Sequence, residues 1–277
     1  MKQEVFSPTQ LGLQYKELLL KTSDNVQLHG WHLPAQGKSQ GTIVFFHGNA
    51  ENITTHIASI YWLPPQGYEV FTFDYRGYGK SNGEPTVDGV ILDAVTVLEY
   101  VTNTLDRQNV VVLGQSLGCV VALNAVAQLE DRSHLKAVAV DSCFSGFREI
   151  AREKLSNLWI TWPLQYPLSY AFTSSHNPLT LIEFLSPIPT LVIHGNADHI
   201  IPMHHGVRLF ESALPPKYFW EIERGRHIDS LGRVAVRNKF TGFIRSSVQG
   251  TLSMSTKEII KIDSPSIFSQ KQSDRAE

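Results

Sequence analysis

The sequence predicts an α/β fold: one domain over residues 1–249, built on a mostly parallel eight-stranded sheet flanked by helices, with a helical cap inserted at about 142–186. Three observations lead there. Short β-branched and aromatic runs alternate with stretches of helical period, the signature of strand–helix–strand units. The runs in the middle of the chain are apolar at nearly every position, as strands covered on both faces are. One connection, roughly 50 residues between 140 and 190, is far too long for an ordinary loop and reads as an insertion.

Strands are expected at 15–20 and 26–33, which alternate apolar and polar around the turn residues Ser23-Asp24-Asn25 and form an opening antiparallel hairpin. Buried strands follow at 42–46, 70–73, 110–113, 137–140 and 190–193, with a weaker one at 218–222. Between them, Val87, Val90, Ile91, Ala94, Leu98, Val101 and Leu105 recur at helical spacing behind the capping residue Thr86. The helix at 117–129 is apolar almost all round and should be buried. Met203, Val207, Phe210 and Leu214 form one stripe, and a last helix is expected at about 229–248. The insertion carries Trp159, Trp162, Tyr166, Tyr170 and Phe172. Residues 250–277, rich in Ser, Lys and Gln without a period, are expected as a flexible tail.

Composition narrows the function. Lys and Arg total 24 against 26 Asp and Glu, a net charge of −2, so no strong field draws nucleic acid or an anionic membrane surface. The start Met1-Lys2-Gln3-Glu4 lacks a signal-peptide pattern, and no apolar run approaches the ~20 residues that span a bilayer. Cys119 and Cys143 are too few for a disulfide framework, which makes a reducing, cytoplasmic setting the expectation. No cofactor is expected. His199, His204 and His205 cluster without HExxH or Cys/His spacing, so no metal is expected either.

The central motif is Gly114-Gln115-Ser116-Leu117-Gly118, a G-x-S-x-G pentapeptide set between the strand at 110–113 and the helix at 117–129. Such a pentapeptide arises by chance in about one chain in ten of this length, and the strand-to-helix context is what makes it specific. There the serine sits on a tight turn, its Oγ raised above the sheet at a helix N-terminus that favours negative charge. A serine is a weak nucleophile without a base and an orienting acid, and on sheets of this kind those follow in the order Ser, acid, His. Asp198 stands in the loop after the strand at 190–193, and His227 in the loop after 218–222. Asp141, at the end of the strand at 137–140, is the rival acid. His47-Gly48-Asn49-Ala50 follows the strand at 42–46, where Asn49 or Ala50 could pair its N–H with that of Leu117 in an oxyanion hole. His47 itself is expected to pack beneath that loop. Asp74-Tyr75-Arg76-Gly77-Tyr78-Gly79 reads as a loop lock rather than chemistry.

Taken together, these residues resemble the α/β-hydrolase superfamily over about 12–248. Phe46-His47-Gly48-Asn49-Ala50, the run Phe73 to Ser81, the Gly114–Gly118 elbow and His194-Gly195-Asn196-Ala197-Asp198 are similar to one subgroup. It holds bacterial hydrolases labelled as peptidases and eukaryotic enzymes that remove palmitate from proteins or hydrolyse lysophospholipids. The resemblance implies the α/β-hydrolase fold and acyl transfer through Ser116, His227 and Asp198. Many members carry an N-terminal membrane anchor and this chain shows none, which points away from membrane-embedded substrates. Cys119 stands where a second small residue commonly follows the elbow. The expected partner is a small acyl ester or thioester, with Trp159, Trp162 and Tyr166 of the cap lining its site. An aminopeptidase or amidase on the same residues is the alternative, and a non-catalytic ligand receptor the third reading. Oligomeric state is left open.

Overall fold

The computed structural model describes residues 5–49, 51–156, 176–252 and 255–260. Its strands are β1 (Lys16–Lys21), β2 (Gln27–Leu33), β3 (Gly41–Phe46), β4 (Tyr68–Phe73), β5 (Val110–Gln115), β6 (Leu135–Asp141), β7 (Thr190–Gly195), β8 (Lys217–Ile222) and β9 (Ser255–Ile260). They form one sheet in the order β1-β2-β4-β3-β5-β6-β7-β8-β9. β1 and β2 pair antiparallel, β2 meets β4 antiparallel, and every other pairing is parallel. Beside a single turn at Ile53–His56, the helices among the described residues are α1 (Val87–Glu99), α2 (Leu117–Gln128), α3 (Phe147–Ser156), α4 (Pro178–Glu183), α5 (His204–Ser212) and α6 (Val234–Gln249).

The apolar runs make the two-sided core. Successive strand residues point to opposite faces. Val44, Val112, Val138 and Val192 therefore join Val97 and Leu98 of α1 and Val121 of α2 on one face. Their neighbours Ile43, Val111, Ala137 and Leu191 join Phe240 and Ile244 of α6 on the other. Each Val, Leu, Ile or Phe among them, once fully buried, contributes about 1.5–3 kcal/mol. Thr86 caps α1 as expected, its hydroxyl accepting from the Gly89 N–H at 3.2 Å. The helical run continues past Glu99 only as a π turn, Tyr100–Thr104, and α6 starts later than expected, behind a 3₁₀ turn at Ser230–Gly232.

Two expectations are corrected. Among the described residues the sheet has nine strands rather than eight, and the ninth lies in the segment expected as a tail. Ser255–Ile260 pairs in parallel with β8, from Lys217↔Ser255 to Ile222↔Ile260. The unpaired edge of β8 recruits this strand through backbone hydrogen bonds, so β9 needs little apolar pattern of its own. Among the described residues, no helix is long and apolar enough to cross a membrane.

The strand order places the site. After β4 the chain crosses β3 to form β5, so loops leaving β3 and β5 diverge from adjacent strands whose ends pair at Phe46↔Gly114. Such a switch point at the carboxyl edge is where open α/β sheets hold ligands.

Candidate active site

Ser116 follows β5 directly and stands at the N-cap of α2, with φ +54° and ψ −120°. A non-glycine residue in that region is strained and persists only where its surroundings over-determine it. Here they do. A Cβ on Gly114 would lie 2.7 Å from the Cα of Cys119, and a Cβ on Gly118 would collide with the carbonyls of Phe46 and His47. Only glycine lets β5, α2 and the end of β3 approach this closely. The Ser116 N–H donates to the Asp141 carbonyl at 3.0 Å. Cys119 is fully buried, and its thiol donates to the Gly114 carbonyl at 3.1 Å, so a small side chain is accommodated beneath the turn.

Three residues distant in sequence meet above that turn. His227 Nε2 lies 3.1 Å from Ser116 Oγ, and His227 Nδ1 lies 2.8 Å from Asp198 Oδ2. A carboxylate only accepts, so Nδ1 carries the proton and Nε2 is left to accept from the serine hydroxyl. The other oxygen of Asp198 accepts from the amides of Ile200 and Ile201, both at 2.8 Å. Burial alone would raise the Asp198 carboxyl. The His227 hydrogen bond and charge, with the two amides, outweigh it and hold the group below the usual carboxylate range.

Asp141 is engaged elsewhere. It is fully buried and accepts from Gln115 Nε2 at 2.9 Å and Ser230 Oγ at 3.0 Å. Burial pushes its pKa up to about 6 against those bonds. Its neighbour Ser142 accepts from the Ile228 N–H at 3.1 Å, tying the end of β6 to the loop that carries His227. Asp141 and Ser142 thus anchor that loop. His194, on β7 four residues before Asp198, donates from Nε2 to the Ile201 carbonyl at 2.8 Å, and burial pushes its pKa down.

The loop after β3 is held from below. His47 is buried and its Nδ1 bonds the Gly48 carbonyl at 2.8 Å. A carbonyl cannot donate, so Nδ1 carries the proton, and burial lowers the imidazole pKa and keeps it neutral. In a trans peptide the next N–H points opposite to that carbonyl, so this bond turns the Asn49 amide away from His47. Asn49 Oδ1 accepts from Tyr78 Oη at 2.7 Å. Asp74 Oδ1 accepts from the Ile53 amide at 2.9 Å, and Arg76 bonds Asp93 and Asp24. The loop lock read from Asp74–Gly79 is what these contacts build. Ala50 lies outside the described residues.

Beside Leu117 opens a cavity of about 280 Å³, lined by Asn49, Tyr78, Val87, Val121, Phe147 and neighbouring apolar side chains. Its wall comes from α1 and α2, with Phe147 from the start of the cap. Trp159, Trp162 and Tyr166, the expected wall, lie outside the described residues. Val87 belongs to the apolar stripe that marks α1 in the sequence, but on its first turn it is 43% exposed and lines the cavity, a distinction that helical spacing does not carry.

A profile of the family described as serine aminopeptidase, S33, matches residues 37–178. The uncharacterized protein YfhR of Salmonella typhi is 32% identical over 262 residues, 88% of this chain and 86% of its own length. The chain belongs to the α/β-hydrolase superfamily. Mouse lysophosphatidylserine lipase ABHD12 is 31% identical to this hydrolase over 242 residues, 78% of this chain and 61% of ABHD12. The esterase Pf2001 of Pyrococcus furiosus superposes on the hydrolase with a TM-score of 0.68 at 20% identity, covering 91% of this chain and 97% of that one. At that identity it speaks for the fold alone.

Proposed function

We propose that this hydrolase cleaves carboxylic ester or thioester bonds of small acylated substrates through an acyl-enzyme on Ser116. One observation carries the proposal: the hydrogen-bonded chain Asp198–His227–Ser116 on a strained turn. His227 Nε2 takes the hydroxyl proton as Oγ attacks the carbonyl carbon. The N–H groups of Leu117 and Asn49 receive the negative charge on the carbonyl oxygen. The tetrahedral adduct collapses, and His227 returns the proton to the departing alcohol or thiol. Water then attacks the acyl-enzyme by the same route and releases the acid. Asp198 holds the Nδ1–H tautomer and stabilises the imidazolium that forms.

The apolar cavity beside Leu117 favours acyl chains, and among the described residues that line it there is no carboxylate to meet a peptide amino terminus. That speaks against the aminopeptidase reading, which the family description keeps alive. The lipase name of ABHD12 speaks for ester cleavage. Cap residues Trp159, Trp162 and Tyr166 are proposed to complete the wall. Cys119 and Cys143, both buried and free, suit a reducing, cytoplasmic setting.

The test is a series of p-nitrophenyl esters from acetate to decanoate, run beside aminoacyl amides. Each methylene buried adds up to about 0.8 kcal/mol, so kcat/KM should rise by up to about fourfold per carbon before levelling. Equal rates along the series, or a preference for aminoacyl amides, would defeat the ester reading.

A further inference from the structure

Away from Ser116, three side chains that the proposed chemistry does not use converge on one point. Glu153 comes from α3, the helix that opens the cap, while His204 and His205 begin α5, the helix after the Asp198 loop. One ligand atom from each lies within 4.8 Å of the others. His204 Nε2 is 2.8 Å from Glu153 Oε1, and His205 Nε2 is 3.2 Å from Oε2. The rings stack with centroids 4.5 Å apart. The His205 side chain is fully buried, Glu153 is 34% exposed and His204 52%, so the group is held on one side and open on the other.

We propose that Glu153, His204 and His205 bind a divalent transition-metal ion of the zinc type, which clasps the cap helix to the helix following the Asp198 loop. Two imidazoles and one carboxylate form a donor set that zinc takes with a further position left to water. It is too rich in nitrogen for magnesium or calcium, which prefer oxygen. The outer contact is in place as well. A metal-ligating histidine donates its other ring N–H to a neighbour, and Ser145 Oγ lies 2.8 Å from His205 Nδ1. Without metal, the Ser145 amide donates to Nδ1 at 3.2 Å, which leaves the proton on Nε2 facing Glu153. Loading moves that proton to Nδ1, where the Ser145 hydroxyl turns to accept it and the longer amide contact is given up. The ion takes the vacated Nε2 lone pair. Lys154 Nζ also donates to the His199 carbonyl at 3.5 Å, so α3 touches the loop that leads into α5 as well.

The test is titration of the metal-stripped, tag-free full chain with Zn(II) in competition with a chromophoric chelator, alongside Glu153→Gln and His204→Ala. Both positions are partly exposed, so the variants should fold, which circular dichroism checks. One equivalent should bind at micromolar Zn(II) and raise the melting temperature, with Co(II) giving the d–d absorption of a low-coordinate site. Each variant should weaken binding by at least about tenfold to a hundredfold and lose the rise in melting temperature. No binding at micromolar Zn(II), or unchanged affinity in both folded variants, would overturn the proposal. None of these readings depends on hydrolysis.

Discussion

A methyl group on Gly118 would stand 2.5 Å from the carbonyl oxygen of His47, and nearer still to that of Phe46. Both obstacles are backbone, which cannot swing aside, so α2 would have to back away from the end of β3. Gly118→Ala is therefore expected to lower stability by about 3 kcal/mol, the upper range for overpacking a tight site. It should lower kcat as well, because the Leu117 and Asn49 amides would separate. Urea denaturation and ester hydrolysis on the same sample check both. A variant as stable and active as the parent would mean the contact is softer than its geometry.

Ser116 should be labelled by a fluorophosphonate probe, and Ser116→Ala should abolish labelling without loss of fold. The alanine removes the group that the half-buried His227 faces and nothing that the core uses. Mass spectrometry of the probe adduct gives the answer. Labelling that survives the substitution assigns the nucleophile elsewhere.

Asp198→Asn should lower kcat by about 10⁴, because an amide in place of Oδ2 no longer enforces the Nδ1–H tautomer. Asp141→Asn should cost far less, since Asp141 meets Gln115 and Ser230 rather than the imidazole. Steady-state kinetics on both variants decide between the carboxylates, and the opposite ranking would give the orienting role to Asp141.

Asp141 should also leave a signature in stability against pH. Its folded pKa, about 6, stands above the unfolded value of ~3.9, so the native state holds the proton more tightly. The stability this confers is complete below about pH 4 and is lost as pH rises through about 6. Asparagine cannot ionise and escapes the loss, and Gln115 Oε1, buried without a partner, can turn to accept its amide. Asp141→Asn should therefore gain on the parent by on the order of 2 kcal/mol between about pH 4 and pH 8. Parallel stability curves would show that the carboxyl ionises freely in the fold.

Val87→Trp tests the cavity. Val87 is partly exposed on the first turn of α1, so the larger ring should fit without unfolding and fill the space beside Leu117. Octanoate esters should lose about tenfold or more in kcat/KM while acetate esters change little, as expected when several methylenes lose their burial. Equal losses on both would place the acyl chain elsewhere.

Much of this was legible in the chain itself because it rests on local constraint. Val110 to Leu113 reads as a buried strand, since its side chains are apolar at every position. Gly114 and Gly118 mark the tight turn because only glycine tolerates the crowding. Asp198 and His227 stand out as loop residues directly behind strands. What no window of sequence contains is which groups meet across the sheet. That His227 Nδ1 reaches Asp198 rather than Asp141 depends on β7 and β8 lying side by side and on Ser142 and Ser230 holding the loop. Ser255–Ile260 is a strand because β8 has a free edge. Glu153 meets His204 and His205, about 50 residues on, because the fold brings the side chains of α3 within reach of the start of α5. The cavity wall falls to Val87 and Val121 because α1 and α2 converge at the elbow. Propensity and steric crowding act over a few residues and can be read from them. Hydrogen bonds and cavities between distant loops are set by strand order, which long-range packing alone decides.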